Sequence, residues 1–167
     1  MINSAEAFNA IADWPISAAM RGETPGTEWL FPIVETLHVM ALSIVFGSIA
    51  MVDLRLLGIS SRGTRVSELA SEVLPWTWSA WGVAAVCGTL MFLAKAETYL
   101  GNVQFRLKFL CMALAAVNML VFHLGAYRQV GRWNSGEPPS SAKLAGAISL
   151  SLWTGVIFFG RWAGFTT

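Results

Sequence analysis

Four stretches of the chain contain no Asp, Glu, Lys or Arg: Thr36 to Val52, Val73 to Ala94, Phe109 to Tyr127 and Leu144 to Gly160. A helix needs about 20 apolar residues to cross the hydrocarbon core of a bilayer, so the first and last stretches fit only when extended. The flanks permit it. Span one can begin at Trp29, with Pro32 in the first turn, where its missing N–H costs little. Span two opens around Pro75 with Trp76, Trp78 and Trp81, and Trp133 and Trp162 mark the ends of spans three and four, at the depth where amphipathic rings settle. The pattern predicts spans over residues 29–54, 73–95, 106–128 and 143–162. The connections are short, and the third carries Gly136, Pro138 and Pro139 as turn residues. Short connections favour antiparallel neighbours, so residues 29–167 are expected to form an all-α membrane domain, an up-down bundle of four transmembrane helices.

Ahead of the bundle, Phe8, Ile11, Ala12, Ile16, Ala19 and Met20 fall on one helical stripe, with Glu6 and Asp13 off it and Pro15 expected to kink or split it. Residues 1–28 therefore read as an amphipathic helix lying in the membrane interface over one end of the bundle, or as a helix that docks a partner. The same residues hold four acids against one Arg and no apolar core, unlike a signal peptide. Span one is expected to serve as an uncleaved insertion signal.

Composition agrees with a chain whose main partner is the lipid bilayer. Of 167 residues 55% are hydrophobic and only 13% charged, and eight are Trp. A net charge of +1 leaves no basic cluster for nucleic acid. Cys87 and Cys111 fall within apolar stretches and read as small hydrophobes. The first and third loops, with Arg55, carry six Lys and Arg, against five on the opposite side, which favours both termini on the periplasmic side.

The chain has two histidines, and both fall inside predicted spans. An ionisable side chain in lipid is costly and points to function, and imidazole ligates haem iron and copper. His38 shares its helical face with Glu35 and Ala41; His123 shares its own with Ala116, Met119 and Tyr127. An inward His with a small neighbour and apolar walls suits a haem site. The alternatives are histidines that hydrogen-bond neighbouring helices, or that handle copper or protons. Spans one and three run in the same direction, and His38 lies about 12 Å shallower than His123, which strains any single haem bridged by both in one subunit. A five-coordinate haem, a haem shared across a homo-oligomer, or a Met ligand would avoid that strain. Glu35, three residues before His38, is placed to accept its second N–H and fix its tautomer, or else to sit at the interface.

Asp53 and Arg55, at the inner end of span one, are expected to pair or to reach towards the headgroups. Asn118, Ser149, Ser151 and Thr154, with Gly47, Gly82, Gly88 and Gly155, suit helix packing. No hydrolytic, phosphate-binding or zinc-type constellation occurs.

The segment from Trp29 to Leu42 with its Glu35-Thr-Leu-His38 core, Phe46-Gly-Ser48, and Asp53-Leu-Arg-Leu-Leu-Gly58 resemble an uncharacterised family of small bacterial inner-membrane proteins. The resemblance continues through Leu74 to Trp78, Phe105 to Lys108 and Asn118 to His123. More distantly, the Leu-His pair of span one and the Lys-Leu-like entry to span three are similar to the copper-resistance-protein-D group, which includes the small haem-binding membrane protoporphyrinogen oxidase. The close resemblance implies fold and location without an activity. The distant one implies haem b, or copper, with His38 at the first-helix His and His123 at a late third-helix His. The further polar motifs of the oxidase are missing, so its activity does not carry over. The expectation is a small haem-binding protein resembling a b-type cytochrome, serving electron transfer or haem and redox handling with a membrane redox partner, with His38 as the preferred axial ligand, Glu35 as its orienter and His123 as a second ligand; the competing class is a membrane subunit, or a copper or proton transporter, without haem.

Overall fold

The computed structural model describes residues 11–166, and among these it contains helices and turns but no strand. Helix α1 spans Pro15–Met20, α2 Leu30–Leu56, α3 Val66–Ala94, α4 Ala96–Gly101 and α5 Val103–Leu124. A short 3-10 segment, Ala126–Gln129, and α6, Val130–Trp133, lead to α7, Ser140–Phe165. Four of these, α2, α3, α5 with its extension, and α7, are long and apolar enough to cross a membrane. The largest shift from expectation is in α3, which begins at Val66 and runs through Pro75. Its first turns carry Glu68 and Glu72 on an exposed face, and an acid in the first turn is favoured by the helix dipole.

The four helices do not all pack as sequence neighbours. α2 lies along α3, α5 lies along α7, and α2 against α7 joins the two pairs. α3 and α5 diverge instead of packing along their lengths. They are tied at the α4 end, where Phe92 stacks on Phe105 with ring centroids 5.8 Å apart. A short connection fixes the ends of two helices; only complementary faces hold their lengths together. Between α2 and α7 such a face exists, because a Cβ on Gly146 would stand 3.0 Å from the Asp53 carbonyl oxygen and 3.1 Å from Leu56 Cβ. The missing side chain lets the two backbones approach.

α1 corrects the predicted stripe. Pro15 splits the predicted helix: Ile11 and Ala12 are helical, the chain turns at Asp13 and Trp14, and α1 begins at Pro15, as suits a residue whose N–H has no partner in a first turn. Ile16 is exposed, whereas Ser17 and Met20 turn inward. Met20, 1% exposed, packs with Val34, Cys87 and Ala94 and closes one end of the α2–α3 pair. Phe8 lies outside the described residues.

At the opposite end Arg55 does not pair with Asp53. Its guanidinium, on a residue 1% exposed, donates to the carbonyls of Thr64 at 2.8 Å, Asn134 at 3.3 Å and Gly136 at 3.4 Å. Asn134 in turn caps α3: its Oδ1 accepts from the Ser67 N–H at 3.0 Å and its carbonyl from the Val66 N–H at 3.2 Å. Two orphan donors of the helix start are thereby satisfied from another loop. Leu56, Val66 and Ala142 pack beneath this knot.

Candidate functional site

His38 is the ninth residue of α2 and faces α3. Its Nδ1 lies 2.8 Å from the Ala84 carbonyl oxygen. A carbonyl only accepts, so Nδ1 carries the proton and donates, leaving Nε2 of the neutral ring as a lone pair. That nitrogen has no hydrogen-bond partner among the described residues. Ala41, one turn on, is buried as the small neighbour, but the closest fit comes from another helix. A Cβ on Gly88 would stand 3.0 Å from His38 Cε1. The ring thus occupies a notch that glycine leaves open.

Glu35 does not orient the imidazole. No hydrogen bond joins it to His38 among the described residues, because the Ala84 carbonyl already takes the only N–H of the neutral ring. Its charge acts on Tyr99 of α4, whose hydroxyl burial raises above the ordinary 10.0 and Glu35 raises further. Lys108 is the sixth residue of α5. It lies along α7 at Gly160, where a Cβ would meet its Cδ at 3.3 Å and its Nζ at 3.6 Å, and its charge reaches His38. One end of the bundle therefore gathers Glu35, His38, Tyr99 and Lys108 from three helices.

His123 belongs to a different place. It is the twenty-first residue of α5, twelve residues deeper in its helix than His38 in its own, or about 18 Å at the rise of an α-helix. Its Nδ1 donates to the Met119 carbonyl at 2.9 Å, which again leaves Nε2 as a free acceptor. His123, Met119 and Ala116 line a cavity of about 510 Å³ in the cleft where α3 and α5 diverge. Trp78, Trp81, Phe109 and Trp153 make much of its wall, and Asp53 and Ser149 line it from α2 and α7. Asp53 is 5% exposed and its Oδ2 has no hydrogen-bond partner, although the Ser149 hydroxyl stands beside the carboxylate. His38, Glu35 and Ala41 are not among the residues of this cavity. The six residues singled out in the sequence thus divide into two sites. Among the described residues no three His, Cys, Asp or Glu side chains gather as a metal site.

Residues 22–166 match a family of unknown function, DUF6644. The chain belongs to that family. The match begins after α1 and takes in all four long helices, so both sites lie within the DUF6644 part of the chain. No curated protein and no solved structure matches it. The DUF6644 description carries no activity, and the chemistry of the two sites has to supply the function.

Proposed function

We propose that this DUF6644 protein is a small haem-binding protein of the bacterial inner membrane, resembling a b-type cytochrome, with His38 as the axial ligand. The observation that carries the reading is the state of the His38 ring. Its Nδ1 proton is committed to Ala84, Gly88 leaves the notch that the ring occupies, and Nε2 is free to bind iron. A backbone carbonyl bonded to the second nitrogen is the usual support of a metal-bound imidazole. The donor set favours haem over bare copper: one imidazole without two further His, Cys, Asp or Glu donors among the described residues is a poor copper site, whereas a porphyrin brings four nitrogens of its own. When bound, the haem supplies one-electron redox chemistry. The chain's own part is to orient the ligand and exclude water. Lys108 and Tyr99 offer a cation and a hydroxyl at the same end for the acidic edge of such a group. His123 is too far along its helix to share one iron with His38 in one copy. In this reading the four long helices span the bilayer with both termini periplasmic, and α1 lies in the interface.

The deciding experiment is a visible spectrum of detergent-purified protein with pyridine haemochrome analysis. A Soret band that sharpens on dithionite reduction is expected, lost in His38→Ala and retained in His123→Ala. Colourless protein from a haem-sufficient host, or an unchanged spectrum in His38→Ala, overturns the assignment and leaves a membrane subunit or transporter without haem.

A further inference from the structure

The cleft between α3 and α5 holds two hydrogen-bond acceptor atoms without a partner among the described residues. Asp53 Oδ2 is buried without a partner, and His123, with its proton committed to Met119, offers a bare Nε2. Both residues line the same cavity of about 510 Å³. Native proteins rarely leave a buried acceptor unpaired, because the desolvation cost is about 1–3 kcal/mol and more for a charged group. Most of the remaining wall is apolar and rich in indole, Trp78, Trp81 and Trp153 with Phe109, and the Thr77 and Asn118 side chains on it already donate to Ser48 and to the Ala145 carbonyl. An acyl chain would satisfy this wall and leave both acceptors bare. A small cation would answer Asp53 but would have to leave water for an apolar, aromatic cleft. The ligand that meets every requirement is a flat aromatic ring with two O–H donors and an apolar tail.

We propose that this cleft binds a membrane-soluble hydroquinone, its ring against the Trp78 and Trp81 indoles, one hydroxyl donating to Asp53 and the other to His123 Nε2. The assignment rests on the membrane placement of the bundle and is independent of haem at His38. It makes His123 a ligand-recognition residue and gives Asp53 a reason to be buried.

The test uses the full chain in lipid nanodiscs under argon, titrated with decylhydroquinone and separately with its dimethyl ether, with tryptophan fluorescence as the readout. The ether keeps the ring and tail and lacks both donors. Saturable binding is expected for each, with the diol at least tenfold tighter. Asp53→Asn and His123→Phe should each bring the diol several-fold towards the ether without changing the ether's affinity. His123 is exposed, so its variant decides the matter if Asp53→Asn fails to fold. Equal affinity for diol and ether overturns the proposal. So does a diol preference that survives His123→Phe, or decylammonium binding more tightly than the diol.

Discussion

Gly88→Ala tests the notch that holds His38. The added Cβ would stand 3.0 Å from Cε1, closer than an ordinary carbon contact, so the ring has to shift by a few tenths of an ångström and strain its 2.8 Å bond to the Ala84 carbonyl. Overpacking of this kind costs about 1–3 kcal/mol, and loss of the hydrogen bond adds about 0.5–1.5 kcal/mol. Against this, replacing Gly by Ala within a helix gains up to about 1 kcal/mol. The expected net loss is about 1–3 kcal/mol, read by thermal or denaturant unfolding in detergent and followed by circular dichroism. Gly82→Ala is the control on the same helix, since a Cβ there meets nothing within 4 Å. It should be neutral or slightly stabilising. The same substitution in a His38→Ala background removes the clash, so the Gly88 penalty should disappear and the propensity gain alone remain. If haem is bound, Gly88→Ala should also alter the Soret band. The reasoning is refuted if Gly88→Ala matches Gly82→Ala in stability, or if its penalty persists without the imidazole.

Arg55→Ala leaves three loop carbonyls without their donor and should cost about 2–4 kcal/mol in unfolding experiments, with Arg55→Lys recovering only part because an ammonium lacks the planar fork. Gly146→Ala should weaken the α2–α7 crossing by about 1–3 kcal/mol, since its new Cβ meets backbone that cannot swing aside; wild-type stability would refute that crossing. Because folding raises the Tyr99 pKa, the stability it contributes is full below the unfolded value of about 10 and is lost as pH rises through the folded value; Tyr99→Phe should remove that alkaline loss in unfolding curves recorded across the range. An alkaline phosphatase fusion after Thr167 should be active if the termini are periplasmic, and an inactive fusion with an active cytoplasmic reporter would reverse the orientation.

The apolar stretches reveal the four long helices, because a lipid-spanning helix must be apolar nearly throughout. That same uniformity hides which face packs on which neighbour. Gly47, Gly82, Gly88 and Gly155 look equivalent in the sequence, yet only Gly88 and Gly155 have close neighbours, the His38 ring and Cys111. Asn118 does join helices through the Ala145 carbonyl, while Ser151 and Thr154 bond back to their own helix. The histidines were conspicuous by rarity, but their separation into two sites depends on helix depth and on which helices diverge. Arg55 illustrates the limit most clearly. Its position at a helix end suggests a side chain reaching for water, and nothing local reveals that loops around Thr64 and Asn134 fold over it.

The divergence of α3 from α5 is what keeps the aromatic cleft open. If α5 packed along α3 it would fill the cleft, Trp78 and Trp81 would become ordinary core, and Asp53 would lose any route to a ligand. The contacts prevent this at both ends by different means. Phe92 on Phe105 fixes the α4 end, while at the other end the Arg55–Asn134 knot ties the start of α3 to the loop after α5, not to α5 itself. The Gly146 crossing then holds the α2–α3 pair against the α5–α7 pair through α2 and α7, leaving the opposite side open. A bundle fastened in this way can keep a cleft without collapsing, because the residues that secure it are not those that line its aromatic wall. Loss of Arg55 should therefore disturb ligand binding in the cleft through the position of α3, whereas loss of His123 should disturb binding and leave the helices where they are.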